Sequence, residues 1–430
     1  MIFSNIAILK EDGSIDEGKF LYVKDGRIAF IGDAPPPGAS GRSYDGKGKL
    51  LMPGFYNAHA HSPMTLLRGY GENLALQDWL NTRIFPFEAL LDSNAVYWGT
   101  MLAMAESMRF GIVSSTDMYN FGDDMVMAAL DSGMKTNIGR AVLCFTDEDI
   151  YGLESYKECV NLFSEYHEAG EGRVKIDMSI HAEYTSTPKV VKQLADYTNE
   201  IGAAMHVHVS ETSEEHTACK QRHGGMTPVE YFSSLGLFDT RTTAAHCVWV
   251  EESDMEILAE KGVTVASCPV SNMKLSSGAC NVPLLLEKGV NVAMGTDGTA
   301  SNNNLNFIEE MKFFALVNKL SRGNPTLVSP YDAIHAATAA GAKSQGRDDC
   351  GLIREGYKAD LIVLDISHPN MHPVHDLLNN IVYAASGSDI ALTMVDGRIL
   401  YEEGEYKTLD IEKVVFECEK ATKKILGALS

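Results

Sequence analysis

Two short stretches of this chain place histidines two residues apart. His59 and His61 follow the segment 52–55, which reads as a turn, and His206 and His208 close a second apolar run. In an extended strand, residues two apart point to the same side, so such a pair can converge on one metal ion. Imidazole is a good ligand for zinc and iron. By itself, a His-x-His pair is also compatible with two histidines in a polar turn.

Glu211 follows His208 at a spacing of three residues. A histidine ligand with a carboxylate just beyond it suits a site that holds a metal-bound water and moves its protons. This spacing favours His208 over His206 as the metal ligand, and it predicts that His206 is a hydrogen-bonded core histidine. The alternative for Glu211 is a solvated residue at the start of the next helix.

Two further segments end in residues suited to the same chemistry. His246 closes the run 242–246, where it could hydrogen-bond a metal hydroxide or serve as a buried structural histidine. Asp297 follows the run 291–295 and could bind the metal and accept a proton, although Asp before Gly298 is also typical of a turn or a helix N-cap. Four strand ends that carry His-x-His, His, His and Asp in order predict a mononuclear metal site.

The residues between 54 and 355 alternate between strand-like and helix-like patterns. Such alternation predicts a parallel sheet with covering helices, and a (β/α)8 TIM barrel is the commonest closed form, with a doubly wound open sheet as the alternative. The polar residues above recur at the carboxyl ends of the strands, where barrel enzymes carry their active sites. Strands are predicted at 111–116, 136–143, 175–181, 203–209, 242–246, 264–267 and 291–295, and helices at 94–110, 188–201, 226–235 and 253–261.

Both ends of the chain show short apolar runs separated by Asp-Gly and Gly-Asp turns. Two strand-rich pieces at opposite ends of a chain can cover each other's sheet edges. We therefore expect one small β-sandwich-like domain from residues 1–53 and 356–430, the latter with a terminal helix, and a hydrolase barrel from 54–355.

Composition excludes several classes of function. The 430 residues carry 36 Lys+Arg against 58 Asp+Glu, a formal net charge of −22, and no run of five basic residues. Such a charge repels nucleic-acid phosphates and anionic membrane surfaces. No apolar run approaches the roughly 18 residues that cross a bilayer. Eight cysteines without a CxxC pair and an N-terminus without an export signal predict free thiols in a cytoplasmic protein.

These motifs together resemble the amidohydrolase superfamily, in particular the branch of S-adenosylhomocysteine/5′-methylthioadenosine deaminases with triazine hydrolases as relatives. The resemblance covers nearly the whole chain. It is carried by Pro53-Gly54-Phe55, His59-x-His61, Gln77-Asp78-Trp79-Leu80, Asp117-Met118-Tyr119, His181, His208-x-x-Glu211, Ala244-Ala245-His246-Cys247, Gly295-Thr296-Asp297-Gly298 and Lys358-Ala359-Asp360-Leu361-Ile362.

The resemblance implies one divalent metal per chain, usually zinc with iron as the alternative. Glu211 would move protons to the ring nitrogen, and its presence favours deamination over the chloride displacement of triazine relatives. His246 would orient the metal hydroxide. The implied metal ligands are His59, His61, His208 and Asp297.

The resemblance also implies three substrate contacts. His181 would lie against the purine, Arg140 would face the 5′ substituent, and Trp79 would form an apolar wall, unless it is a core tryptophan. Two features depart from the family pattern. Glu183 stands in a segment where many relatives have proline, and Glu72 and Asp78 compete as the carboxylate that would bind the ribose hydroxyls.

The sequence thus predicts a zinc-dependent aminohydrolase that removes the 6-amino group of an adenosine derivative. S-adenosylhomocysteine, 5′-methylthioadenosine, adenosine and 5′-deoxyadenosine are the candidate substrates, and relatives are often dimers or larger, so a homo-oligomer is compatible with this prediction. Guanine, a pterin or an aminotriazine is the alternative substrate class. A more remote alternative is a barrel that binds a metal or ligand without catalysis, but such a module has no use for a proton-moving Glu211.

Overall fold

The computed structural model describes residues 1–74, 76–146 and 148–429, without the side chains of Leu76 and Gln77. The predicted family motif at residues 77–80 is therefore described only from Asp78 onwards. Across the described residues, no helix has the length and apolar character needed to cross a bilayer. In chain order the strands are β1 (Ile2–Leu9), β2 (Ile15–Lys24), β3 (Arg27–Gly32), β4 (Ser43–Asp45), β5 (Lys49–Pro53), β6 (Phe55–Ala60), β7 (Ile112–Met118), β8 (Lys135–Val142), β9 (Val174–Ile180), β10 (Met205–Val209), β11 (Thr242–His246), β12 (Thr264–Ser267), β13 (Asn291–Met294), β14 (Leu361–Asp365), β15 (Ile390–Val395), β16 (Arg398–Glu402) and β17 (Glu405–Tyr406).

Strands β6 to β13 form a parallel sheet in which neighbours in the chain are neighbours in the sheet. This sequential order confirms the (β/α)8 barrel, because a doubly wound sheet reverses its strand order at a switch point. Every residue of β7 is buried, as expected where helices cover the outer face of a strand. The seven strands predicted for this region are all present, and β6 adds the first.

The barrel closes between β6 and β13 through a single bridge at the carboxyl ends of these strands. Asp297 pairs with Ala60, and the Asp297 amide donates to the carbonyl of His59 at 3.0 Å. The barrel therefore closes at His59 and Asp297, two of the predicted site residues, and this closure fixes their backbones relative to each other.

Helices cover the outside of the barrel and follow the strands in alternation. Helix Pro188–Ile201 illustrates the local signals, since Thr187 caps its first turn through the Val190 amide and Gly202 ends it in the left-handed conformation. The helices of eight or more residues are Ser93–Arg109, Gly122–Ser132, Glu154–Tyr166, Pro188–Ile201, Ser213–Arg222, Glu252–Glu260, Phe307–Ser321, Pro330–Ala337 and Ile411–Leu429, and the shorter ones include Leu76–Trp79, Phe85–Glu88, Pro228–Ser234, Pro269–Lys274, Val282–Glu287, Ala339–Ser344 and Leu377–Tyr383.

The two ends of the chain share a second sheet, as predicted. Its strand order is β17-β16-β15-β14-β5-β1-β2-β3, with β4 also paired to β1. Strand β5 joins the two ends, because it pairs with β1 in parallel and with β14 antiparallel. The sequence analysis missed β4, β5 and the two-residue strand β17. The turn it expected at residues 52–55 is wrong, because only Gly54 interrupts the run from β5 into β6.

A buried ion pair fastens this second sheet to the barrel. The Lys135 ammonium of β8 contacts the carboxylate of Asp360 and lies 2.8 Å from Asp396 Oδ1, and the Tyr56 hydroxyl donates to Asp360 at 2.5 Å. Lys135 and Asp360 are almost fully buried, so each charge needs the other to offset its desolvation. The domain boundaries at 53/54 and 355/356 stay a prediction.

Candidate active site

The predicted metal ligands meet at the carboxyl ends of β6, β10 and β13. The ligand atoms of His59, His61 and His208 lie within 4.8 Å of one another, and so do those of His59, His246 and Asp297. His61 Nε2 is 3.2 Å from Asp297 Oδ1, and His59 Nε2 is 3.5 Å from the same oxygen. Strand ends far apart in the sequence thus bring three imidazoles and one carboxylate to one point.

Backbone carbonyls fix the tautomers of two of these histidines. His61 Nδ1 lies 2.6 Å from the carbonyl of Met118, and His208 Nδ1 lies 2.8 Å from the carbonyl of His181. A carbonyl only accepts, so each Nδ1 donates its hydrogen and Nε2 is the nitrogen that faces the cluster. This arrangement is typical of histidines that bind a metal through Nε2.

His59 is the most deeply placed member of the cluster. Its Nε2 is buried and has no hydrogen-bond partner among the described residues. Burial lowers the pKa of His59 to about 3, so the ring is neutral at pH 7 and Nε2 offers a lone pair. Its other nitrogen, Nδ1, lies 2.9 Å from Nε2 of the fully buried His206. His206 is therefore a packed, hydrogen-bonded histidine behind a ligand candidate.

Two serine hydroxyls hold the carboxylate of Asp297. Ser271 and Ser301 donate to Oδ2 at 2.6 and 2.9 Å, and the Gly298 amide donates to Oδ1 at 2.8 Å. Burial alone would raise the pKa of Asp297, but the neighbouring imidazoles of His59 and His61 hold it well below its ordinary value. The carboxylate is consequently ionised, which suits both metal binding and proton acceptance.

Glu211 and His246 face each other beside this cluster. His246 Nδ1 donates to Asn272 Oδ1 at 2.9 Å, which leaves His246 Nε2 directed towards Glu211 Oε2 at 3.9 Å. The Ser277 hydroxyl donates to the other Glu211 oxygen at 3.3 Å. Burial raises the pKa of Glu211 above its ordinary value, so this side chain holds a proton more readily than an exposed glutamate.

Several backbone positions around the cluster adopt the left-handed region that side chains other than glycine rarely occupy. Their φ angles are +49° at Ser210, +70° at His246, +46° at Cys247 and +60° at Asp297. Such conformations cost about 1–3 kcal/mol each and concentrate at functional sites. Here they turn the chain sharply at the strand ends, just where His246 and Asp297 must enter the cluster.

A cavity of about 320 Å³ opens above the cluster. His59 lies behind its wall with no exposed surface, whereas the other predicted site residues line it. Trp79 lines the cavity and is 94% buried. Both alternatives predicted for Trp79, an apolar wall of the cavity and a core tryptophan, therefore hold. The predicted residues on the cavity wall are His61, Trp79, Arg140, His181, His208, Glu211, His246 and Asp297.

The cavity also contains a carboxylate that the sequence analysis missed. Glu88 lines the wall and accepts a hydrogen bond from the Tyr119 hydroxyl at 2.6 Å, and burial raises its pKa. Neither Glu72 nor Asp78 is among the described lining residues, and Glu72 pairs with Lys274 at 3.2 Å. Glu88 ends a short helix with no local motif to mark it, so only its place in the cavity identifies it.

The unusual Glu183 points away from the cavity. Its buried carboxylate accepts from Arg222 Nε at 3.1 Å and contacts His223 Nε2 at 2.6 Å. Glu183 lies in the turn that separates His181 from Tyr184, and Arg222 ends the helix that follows Glu211. The interaction therefore ties two segments that line the cavity to each other.

Comparisons with known proteins identify the family of this chain. Residues 50–400 match the model of the amidohydrolase family. A 5-methylthioadenosine/S-adenosylhomocysteine deaminase of Dictyoglomus thermophilum is 42% identical over 376 residues, 87% of either chain, and a 5′-deoxyadenosine deaminase of Methanosarcina mazei is 38% identical over 100% of this chain and 99% of its own. The crystal structure of an adenosine deaminase from Xanthomonas campestris with bound zinc superimposes with a TM-score of 0.92 at 28% identity, covering 99% of this chain and 98% of that one.

Proposed function

Because the chain belongs to the amidohydrolase family, within the branch of 5-methylthioadenosine/S-adenosylhomocysteine deaminases, we propose that it hydrolytically deaminates an adenosine derivative. In this reaction water adds to C6 of the purine and the 6-amino group leaves as ammonia, which gives the inosyl product. The observation that carries the proposal is Glu211, a buried carboxylate with a raised pKa that shares the cavity with the metal-binding cluster.

We propose that His59, His61, His208 and Asp297 hold one zinc ion, with iron as the alternative. The unpartnered buried Nε2 of His59 supports this, because a buried polar nitrogen needs a partner and ligand atoms of His61, His208 and Asp297 lie within 4.8 Å of His59. Three imidazole nitrogens and one carboxylate oxygen are ligands that zinc accepts. A bound zinc ion lowers the pKa of water towards 7 and so supplies a nucleophile at neutral pH.

Side chains of the site accept and donate the protons of this reaction. Asp297, ionised and held by two serines, accepts the proton that the attacking water loses and passes it to the amino group, which then leaves as ammonia. Glu211 donates a proton to the ring nitrogen next to C6, which makes this carbon more electrophilic. His246 Nε2, fixed by Asn272, hydrogen-bonds and orients the incoming oxygen.

The cavity wall supplies the contacts for the rest of the nucleoside. Trp79 packs against the flat apolar faces, and His181 hydrogen-bonds the purine ring. Glu88 is the carboxylate that we assign to the ribose hydroxyls, since it lies on the cavity wall and its pair of oxygens suits two neighbouring hydroxyl donors. Arg140 stands on the same wall, near the 5′ substituent.

The experiment that tests this function is an ammonia-release assay of zinc-loaded protein. We expect turnover of at least one of adenosine, 5′-deoxyadenosine, 5′-methylthioadenosine and S-adenosylhomocysteine. Glu211→Gln should lower kcat by about 10²–10⁴-fold, the usual contribution of a positioned acid or base, while the zinc content stays unchanged. Glu214→Gln is the matched control, because Glu214 is an exposed residue of the following helix. Turnover of guanine or a pterin without turnover of any adenosine compound would reject the proposal.

A further inference from the structure

Glu215 is a buried carboxylate that is hydrogen-bonded to the backbone of Glu211. Its Oε2 accepts from the Glu211 amide at 2.8 Å, and its Oε1 accepts from the Ser210 amide at 2.9 Å. Glu215 lies in the first turn of the helix Ser213–Arg222, and 7% of its surface is exposed. The two oxygens of one side chain thus hold the two consecutive amides that follow β10.

These hydrogen bonds lie at a strained turn. The φ angle of Ser210 is +49°, a conformation that a residue other than glycine keeps only where its surroundings hold it. On the other side of the turn, the Ser210 carbonyl accepts from the Val248 and Trp249 amides at 3.1 and 3.0 Å. The bonds to this carbonyl come from the main chain, whereas the bonds to the two amides come from the single side chain of Glu215.

The turn sets the direction in which the Glu211 side chain points. Glu211 Oε1 accepts from the Ser277 hydroxyl at 3.3 Å, and Oε2 lies 3.9 Å from His246 Nε2. Both distances exceed those of a well-formed hydrogen bond, so these two neighbours restrain the carboxyl group weakly. The position of this group consequently depends on its backbone, which Glu215 fixes.

We propose that Glu215 is a positioning residue for the deamination, which holds the backbone of Glu211 so that the Glu211 carboxyl group reaches the ring nitrogen next to C6. This inference rests on the proposed function. A general acid must lie within hydrogen-bond distance of the atom that it protonates. Glu215 is not among the described residues that line the substrate cavity, so it acts through Glu211 rather than on the substrate.

The first test is Glu215→Gln, assayed by ammonia release. The glutamine keeps the shape of the side chain but turns its NH2 group towards one of the two backbone amides, so one hydrogen bond is lost. We expect kcat to fall by about 10–100-fold, because a displacement of about 1 Å at a reacting group can cost about 10²-fold. KM should change by less than about threefold and the zinc content should stay unchanged, because the proposed contacts to substrate and metal involve other side chains.

A double-mutant cycle separates this role from a purely structural one. In the Glu211→Gln background, Glu215→Gln should lower the residual kcat by less than about twofold, because the side chain that Glu215 positions no longer transfers a proton. A general distortion of the site would instead lower kcat by the same factor in both backgrounds. Glu215→Asp keeps the carboxylate but withdraws it from the amides. It should show the same pattern, and it replaces Glu215→Gln in the cycle if that variant does not fold.

Glu230→Gln is the matched control. Glu230 Oε2 accepts from the Thr227 amide at 2.9 Å at the start of the helix Pro228–Ser234, so this variant loses the same kind of hydrogen bond at another helix. It should lower the thermal midpoint and leave kcat unchanged. An unchanged kcat of Glu215→Gln or Glu215→Asp, or an equal loss of kcat in the Glu211→Gln background, would overturn the inference. Absence of ammonia from every adenosine compound with the wild-type protein would instead reject the proposed function itself.

Discussion

His59 Nδ1 and His206 Nε2 are 2.9 Å apart, and both rings are fully buried. Because Nε2 of His59 faces Asp297 and the proposed metal site, Nδ1 of His59 carries the ring hydrogen and His206 accepts it. The hydrogen of His206 then lies on its own Nδ1, which is buried without a partner among the described residues. A histidine in the barrel interior thus sets the tautomer and orientation of a proposed zinc ligand.

We therefore expect His206→Leu to weaken zinc binding by about 10–100-fold, as the loss of partners behind metal ligands usually does. The affinity can be measured by competition with a chelating indicator. His206→Gln is the rescue variant, because its amide oxygen still accepts a hydrogen bond, and it should recover part of the affinity. Equal zinc affinities for the wild type and His206→Leu would contradict this role.

Glu88 is expected to contribute to nucleoside binding rather than to the chemistry at C6. Glu88→Gln should raise KM for adenosine derivatives by about 10-fold or more, the value of a hydrogen bond to a charged group, and leave kcat within a factor of about three. The two effects are separated by steady-state kinetics. Removal of the ribose hydroxyls should have the same consequence, so 2′,3′-dideoxyadenosine should show almost no difference between Glu88→Gln and the wild type. If Glu88→Gln raised KM for the dideoxy substrate as much as for adenosine, Glu88 would have a different role.

Glu183 should stabilise the fold and the shape of the cavity together. Glu183→Gln leaves Arg222 and His223 without their buried anionic partner, which we expect to cost about 2 kcal/mol of stability because Arg222 is partly exposed. The thermal midpoint should fall and KM should rise, since the turn leads into Tyr184 on the cavity wall. The same measurements on Glu214→Gln provide the surface control. An unchanged thermal midpoint would show that the interaction of Glu183 with Arg222 and His223 contributes nothing to stability.

Glu215 should make the stability fall as pH rises. Its buried carboxylate accepts from the Ser210 and Glu211 amides at 2.9 and 2.8 Å, yet burial and the charge of Glu211 raise its pKa to about 7. The folded state then binds more protons than the unfolded state between the ordinary pKa near 4.5 and pH 7. The stabilisation is complete below this window and is lost as pH rises through it, by up to about 3 kcal/mol.

This pH dependence can be isolated by comparing thermal midpoints of the wild type and Glu215→Gln from pH 5 to pH 8. The wild type should lose its advantage over the variant as pH increases. Glu214→Gln, which removes a neighbouring exposed carboxylate, should keep a constant difference from the wild type. A wild-type advantage that grows with pH would show that Glu215 is ionised throughout this range.

The barrel and the order of its chemical groups could be predicted from local patterns. The alternation of strands and helices specified a parallel sheet, and the carboxyl ends of such strands must lie on one face. This is why His59, His61, His208, His246 and Asp297 could be assigned to one site from their positions alone. Strands β4 and β5 were missed because each is short, and β5 has no alternating pattern, being buried at four of its five positions.

The sequence by itself determined the fold class, the family and the residue types at the strand ends, because strand periodicity and motif spacing are local properties. Only the tertiary structure decided which atoms meet. It placed Glu88 in the cavity instead of Glu72 or Asp78, paired Arg140 with Glu158, and set His206 behind His59. Such contacts depend on how helices and loops pack over the barrel, and distances between residues far apart in the chain are not encoded in any local pattern.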